Sequence, residues 1–201
     1  MYRNETTLVL LLIIACSCLS NVSAWNNANN NKQGALNFFP LPFQTTALGG
    51  KHLVDAGKAL KKASNCFQNI GDSYYAYPTI LREAACSLTD AGNAWNQDHW
   101  EAVTYAMDDC ASSFVMLSQL QRSVEMQKAY KGAAGELKVI AGLTEPMEAT
   151  ENLIQLSNYF KLVAKVETME ERHRQHVDTV SFGKYLKQAS QSVQTLGREQ
   201  R

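Results

Sequence analysis

The side chains best suited to chemistry are few and scattered. They are four histidines (His52, His99, His173, His176), five cysteines and the adjacent aspartates Asp108-Asp109. Glu170 stands three residues before His173, and His176 three after it, so all three fall on one helix face. A Glu-x-x-His step is part of the carboxylate–imidazole set that holds a di-iron centre inside a helical bundle. Such a centre needs a second Glu-x-x-His and two further glutamates on facing helices, and no second copy occurs. The run Glu170-Glu171-Arg172-His173-Arg174-Gln175-His176 is polar all round and reads as a solvated helix surface. No metal and no other cofactor is expected.

Paired carboxylates do acid–base work when burial separates their pKa values. Asp108 and Asp109 are neighbours in sequence, so on a helix they diverge by about 100° and do not converge on one substrate. The chain has no phosphate-cradling glycine loop, no Gly-x-Ser-x-Gly, no zinc-ligand spacing and no His-Glu-x-x-His. An enzyme is not expected, and no catalytic residue is assigned.

The cysteines depend on compartment. Leu8 to Cys18 carries no charge and follows a short polar lead with Arg3. This is the length of a secretory h-region and falls short of the roughly 20 apolar residues of a spanning helix. Val22 and Ala24 supply small residues before a cut, so residues 1–24 read as a signal peptide and the mature chain begins at Trp25. Two alternatives stand beside it: Ile13-Ile14-Ala15-Cys16 fits a lipobox, and the apolar run could stay as an uncleaved anchor. Only those two would bring a membrane into play. The expectation is a secreted, extracellular protein.

Cys66, Cys86 and Cys110 remain after the cut. An oxidising compartment favours bridging one pair and leaving one thiol. Cys86 and Cys110 lie at matching distances from the break at Asn96-Gln97-Asp98, which puts them at one height in a helical hairpin. Cys86–Cys110 is the favoured disulfide, provided both face the seam. Cys66–Cys86, Cys66–Cys110 and no bridge are the alternatives.

The elements that must position these groups are helical. From about Thr45, apolar residues recur every three or four positions. Leu53, Ala56, Leu60, Ala63, Phe67 and Ile70 form a first stripe, ended by Gly71-Asp72. Leu81, Ala84, Leu88, Ala91 and Trp95 form a second, with Pro78 in its first turn. Asp98, with Glu101 three residues on, is expected to cap a third helix. That helix carries Trp100, Val103, Met107, Cys110, Phe114, Leu117, Leu120 and Val124, and is expected to persist to about Ala141. Gly132 and Gly135 mark a bend or a close helix contact. Thr144-Glu145-Pro146 opens a fourth helix with Leu153, Leu156, Phe160, Val163 and Met169 on its face. Phe182, Leu186, Ala189, Val193 and Leu196 make a fifth stripe, which Asp178-Thr179 would cap if the two are separate. The fold class is therefore all-α: an antiparallel bundle of four to five helices over residues 45–198, after the signal and an N-terminal segment, 25–44.

Ala106-Met107-Asp108-Asp109-Cys110 on its helix resembles the Asp-Cys helix of plant invertase and pectin methylesterase inhibitors. That family implies a secreted four-helix bundle with an N-terminal hairpin and two disulfides. The resemblance covers about a dozen residues. The family's closely spaced first cysteine pair and its fourth cysteine have no counterpart, so membership is not assigned.

Lysines and arginines equal acids, 19 each. A neutral chain gives no electrostatic case for nucleic acid or anionic membranes. The segment 25–44 opens on Asn-rich low complexity and ends in Phe38-Phe39-Pro40-Leu41-Pro42-Phe43, whose prolines impose an extended strap. Phe38, Phe39 and Phe43, with the loop tyrosines Tyr74, Tyr75 and Tyr77, are the candidate contact surface, since aromatics bring large area at little entropy cost. The expected function is a secreted, non-enzymatic partner of another protein: a recognition factor, ligand, inhibitor or effector. The alternative is an extracellular carrier of lipid or another apolar ligand.

Overall fold

The structure is a computed structural model that describes residues 46–67, 76–165 and 174–200. The signal, the Asn-rich stretch, the strap with Phe38, Phe39 and Phe43, the loop residues Tyr74 and Tyr75, and Glu170 with His173 lie outside the described residues.

The described residues form six helices and no strand. They are α1 (Thr46–Ser64), α2 (Ala76–Trp95), α3 (Trp100–Gln119), α4 (Val124–Ala141), α5 (Thr150–Val163) and α6 (Thr179–Glu199), with a 3-10 turn, Pro146–Ala149, before α5. Each helix packs on its neighbours in sequence, and α6 packs back on α1. The result is an all-helical, up-and-down bundle closed into a ring. Among the described residues no helix is long and apolar enough to cross a membrane.

The apolar stripes read from the sequence are the core. Leu53, Leu60, Leu81, Leu88, Met107, Phe114, Leu153, Phe160, Phe182 and Leu196 are fully buried. An aromatic chain ties the rim of the ring to its middle. Phe67 meets Tyr77 at 4.9 Å and Phe182 edge-on at 5.6 Å between ring centroids. Phe114 lies 5.8 Å from Tyr130 and stacks on Phe160 at 5.5 Å. Tilted and offset geometries of this kind suit the ring quadrupoles.

Three boundaries differ from expectation, each for a local reason. The first helix stops at Ser64, before Gly71; Phe67 leaves the helix and pairs its backbone with Val177 in an isolated antiparallel bridge. Asp98 does not cap α3. Its φ is +54°, and the N–H groups of Asp98 and His99 donate to the carbonyls of Trp95 and Ala94. This closes α2 as a left-handed cap in which an aspartate takes the usual glycine place. His99 is the N-cap residue of α3 and makes no side-chain capping bond.

The expected long third helix is two helices. The break at 120–123 has neither glycine nor proline; side-chain amides make it. Gln121, 2% exposed, donates from Nε2 to the Leu117 carbonyl at 3.3 Å, and Gln127 donates to the Gln121 carbonyl at 2.6 Å. Ser123 then caps α4, accepting the Met126 N–H. Val124, expected in the apolar stripe, is the first residue of α4 and 63% exposed. The fourth and fifth stripes belong to separate helices: α5 ends at Val163, and Asp178 caps α6 by accepting the Ser181 N–H at 3.1 Å.

α1 and α2 cross at backbone distance. A Cβ at Gly50 would lie 2.2 Å from the Gly92 carbonyl oxygen, and one at Gly92 would lie 2.5 Å from that of Gly50. Of the α4 glycines, Gly132 packs under the Tyr159 ring, whereas nothing lies within 4 Å of a Cβ at Gly135. Gly50→Ala is expected to destabilise the bundle by about 1–3 kcal/mol, since backbone must move. Gly135→Ala is expected to stabilise it by up to about 1 kcal/mol through helix propensity alone. Chemical denaturation of the two variants beside the parent checks both signs.

Candidate functional site

α1 and α6 run antiparallel, and their outward rows leave a cleft of about 390 Å³. α1 contributes His52, Asp55, Lys58, Ala59 and Lys62; α6 contributes Gln188, Gln191, Ser192 and Thr195. These sets follow helical spacing, because side chains three and four apart stand one above another on a face. Lys184 continues the α6 row one turn beyond Gln188. Ala59 is the single apolar residue in the lining. Two contacts bracket the cleft. At one end His52 Nε2 lies 3.0 Å from Glu199 Oε2. At the other the Lys62 ammonium stands 5.8 Å from the centre of the Tyr185 ring, within cation–π range.

The charge of this face is far from neutral. α1 and α6 carry Lys51, Lys58, Lys61, Lys62, Lys184, Lys187 and Arg198 against two carboxylates, Asp55 and Glu199, a net of +5. α2 and α3 carry Arg82 against Glu83, Asp90, Glu101, Asp108 and Asp109, a net of −4. The neutral total therefore hides two helix pairs of opposite net charge. Among the described residues the one close contact between a basic and an acidic side chain across these helices is His52–Glu199, and Lys58 and Lys62 have no carboxylate within 4 Å. Burial raises the carboxyls of Glu83 and Asp90, and burial together with the charge of Asp108 raises that of Asp109.

Among the described residues, those singled out in the sequence do not assemble. Cys86 and Cys110 are not bridged, and Cys66 is also a free thiol. The height match was close: the Cys110 thiol donates to the Ala84 carbonyl, 3.4 Å away, two residues from Cys86. The facing was wrong. Cys110 points into the core, while Cys86 is exposed. Burial pushes the Cys110 thiol far above its ordinary pKa, and Asp109 adds to this. The Cys66 thiol is also raised, by partial burial and by the charge of Asp178.

Tyr77 leaves the candidate contact surface. It is 3% exposed, and its hydroxyl shares a short hydrogen bond with that of Tyr130, itself fully buried. Two residues into α2, it faces the core beside Phe67. Side-chain bonds elsewhere join Arg82 to Asn65, Asn152 to Glu136 and Thr144 to Glu148; none of these links a hydroxyl or thiol to a histidine. No group of three or more His, Cys, Asp or Glu converges as a metal set among the described residues.

Comparison with protein-family models, with curated proteins and with solved structures finds no match for this chain. Its function must be read from its own surfaces. The cleft escaped sequence reasoning because charge was summed over the whole chain; a sum taken helix by helix carries the signal.

Two measurements follow. Alkylation of the native protein is expected to modify Cys86 first, Cys66 more slowly and Cys110 only on unfolding; peptide mass mapping reads the order, and protection of Cys86 would restore the bridge. The buried tyrosines make a second expectation. Burial raises both phenols above their unfolded value near pH 10, so above that pH the unfolded chain loses protons that the folded chain keeps. The contribution of the tyrosines to stability is fully present below about pH 10 and falls above it by about 1.4 kcal/mol per pH unit for each of them. The buried Cys110 thiol adds a like loss from about pH 9, so Tyr130→Phe is expected to remove about a third of the total slope in denaturation curves taken across the range.

Proposed function

We propose that this is a secreted, non-enzymatic protein that acts by binding another protein. One observation carries the reading: a polar, cation-lined cleft on the α1/α6 face, walled by hydrogen-bonding side chains from two rigid helices. Small apolar ligands are held in clefts lined mainly by hydrophobic and aromatic groups. Here the apolar stripes are spent on one another, with Tyr130, Phe114, Phe160 and Phe182 fully buried, and the cleft offers ammonium, amide and hydroxyl groups. A lipid carrier would need the reverse. The export reading rests on the charge-free run Leu8 to Cys18 and the small residues Val22 and Ala24.

Supporting data would come from cross-linking the full chain, expressed with its N-terminal segment, to proteins of its producing cell and medium. Recovery of a defined partner in stoichiometric amount, by mass spectrometry, is the expected result. Native mass spectrometry that instead shows a retained lipid, with no protein cross-linked, would replace this reading with the carrier.

A further inference from the structure

We infer that the α1/α6 cleft is the seat of an acidic, extended segment of the partner protein. This rests on the proposed function and names the chemistry of what is bound.

Four features point to it. The first is uncompensated charge. Among the described residues Lys58 and Lys62 line the cleft with no carboxylate within 4 Å, on two helices whose charges sum to +5. Two lysines against Asp55, with His52 neutral, leave the lining at +1 for an incoming carboxylate to meet. The second is the type of cation. Lysine is a compact, hydrated point charge that accepts carboxylates from several directions. The planar fork of arginine, which pairs bidentately with carboxylate and phosphate alike, is absent from the lining, so its cations act as point charges.

The third is the mixture of donors and acceptors. The amides of Gln188 and Gln191 both donate and accept, as do the hydroxyls of Ser192 and Thr195, and Asp55 accepts only. A peptide backbone shows donors and acceptors in alternation and can use all of these. Asp55 suits a backbone N–H and repels any anion, so the acidic side chains of the segment must stand toward Lys58 and Lys62. The fourth is length. His52 to Lys62 is ten residues of helix, about 15 Å at 1.5 Å per residue. An extended peptide covers that in about four or five residues at about 3.3 Å each. The His52–Glu199 and Lys62–Tyr185 contacts close the two ends of that span, so the register is bounded.

The test titrates the full chain with a fluorescein-labelled peptide of alternating Glu and Gly, read by anisotropy. A heparin-derived oligosaccharide and phosphatidylserine vesicles form parallel arms. Lys58→Glu with Lys62→Glu reverses the cleft. Lys128→Glu with Lys131→Glu makes the same charge change on the exposed side of α4. Circular dichroism of each variant confirms that the fold is kept, since all four lysines are exposed.

The expected result is peptide binding that the α4 reversal leaves within about twofold and the cleft reversal weakens at least about tenfold. The side-chain amide resonances of Gln188 and Gln191 should shift during titration. Absence of peptide binding, equal loss in both variants, or tighter binding of the oligosaccharide or the vesicles than of the peptide overturns the inference. The cross-linked partner separates this from the broader reading. If the partner is captured undiminished by the cleft-reversed protein, the cleft assignment falls and protein binding stands; if no partner is captured by the parent chain, the proposed function itself falls.

Discussion

A helix with one apolar stripe gains little from forming alone; its stability comes from neighbours that cover the stripe. In an open row of such helices the first and last each leave a flank uncovered. The return of α6 onto α1 removes both bare flanks at once. Its row Phe182, Leu186, Ala189, Val193 and Leu196 is buried throughout. The Asp178 N–H bonds to the Cys66 carbonyl at 3.0 Å, and Phe67 pairs with Val177, so the closure is pinned by backbone where α1 ends and α6 begins. Every other packing relation assumes that closed ring. The cleft is a by-product of the same closure, since it lies between the outward rows of the two helices that meet there.

Closure also needs close approach elsewhere. The α1/α2 crossing at Gly50 and Gly92 brings two backbones together where any side chain would hold them apart. The buried Ser190 hydroxyl donates to the Ser157 carbonyl at 2.7 Å and joins α6 to α5 in the same economical way, with a small side chain and one bond. Trp100 reaches from the start of α3 to the Leu143 carbonyl at 2.9 Å and fixes the loop that follows α4. Such contacts set spacing and register, while the aliphatic and aromatic stripes provide the bulk of the burial.

Much of this was legible in the residues. A helix whose stripe runs clean between stop signals, such as α2, could be placed to within a few residues, and the stripe of α6 was clear although the sequence leaves its separation from α5 open, because burial of one face imposes a period that nothing else produces. The α3–α4 break was not legible. Leu117, Leu120 and Val124 keep helical spacing straight across it, and the stop is made by the amides of Gln121 and Gln127, whose local bonds to carbonyls four and six residues back are marked by no glycine or proline. The cysteines show a second limit. Counting from a turn gives height along a hairpin, but the direction in which a side chain faces depends on how the helix is rotated, and that is set by all its neighbours. Tyr77 looked like a loop residue because it stands between two other tyrosines and Pro78; its partner Tyr130 is 53 residues away.

The junction of His52 with Glu199 places the beginning of α1 and the end of α6 at one pole of the ring. Tension applied through the chain on either side of the bundle would therefore act across that pole, pulling the two helices apart sideways. Contacts along the α1/α6 boundary would then be loaded one after another, where a shearing pull would load them together. Held between two anchored surfaces, the bundle would open its cleft before it lost the rest of its core.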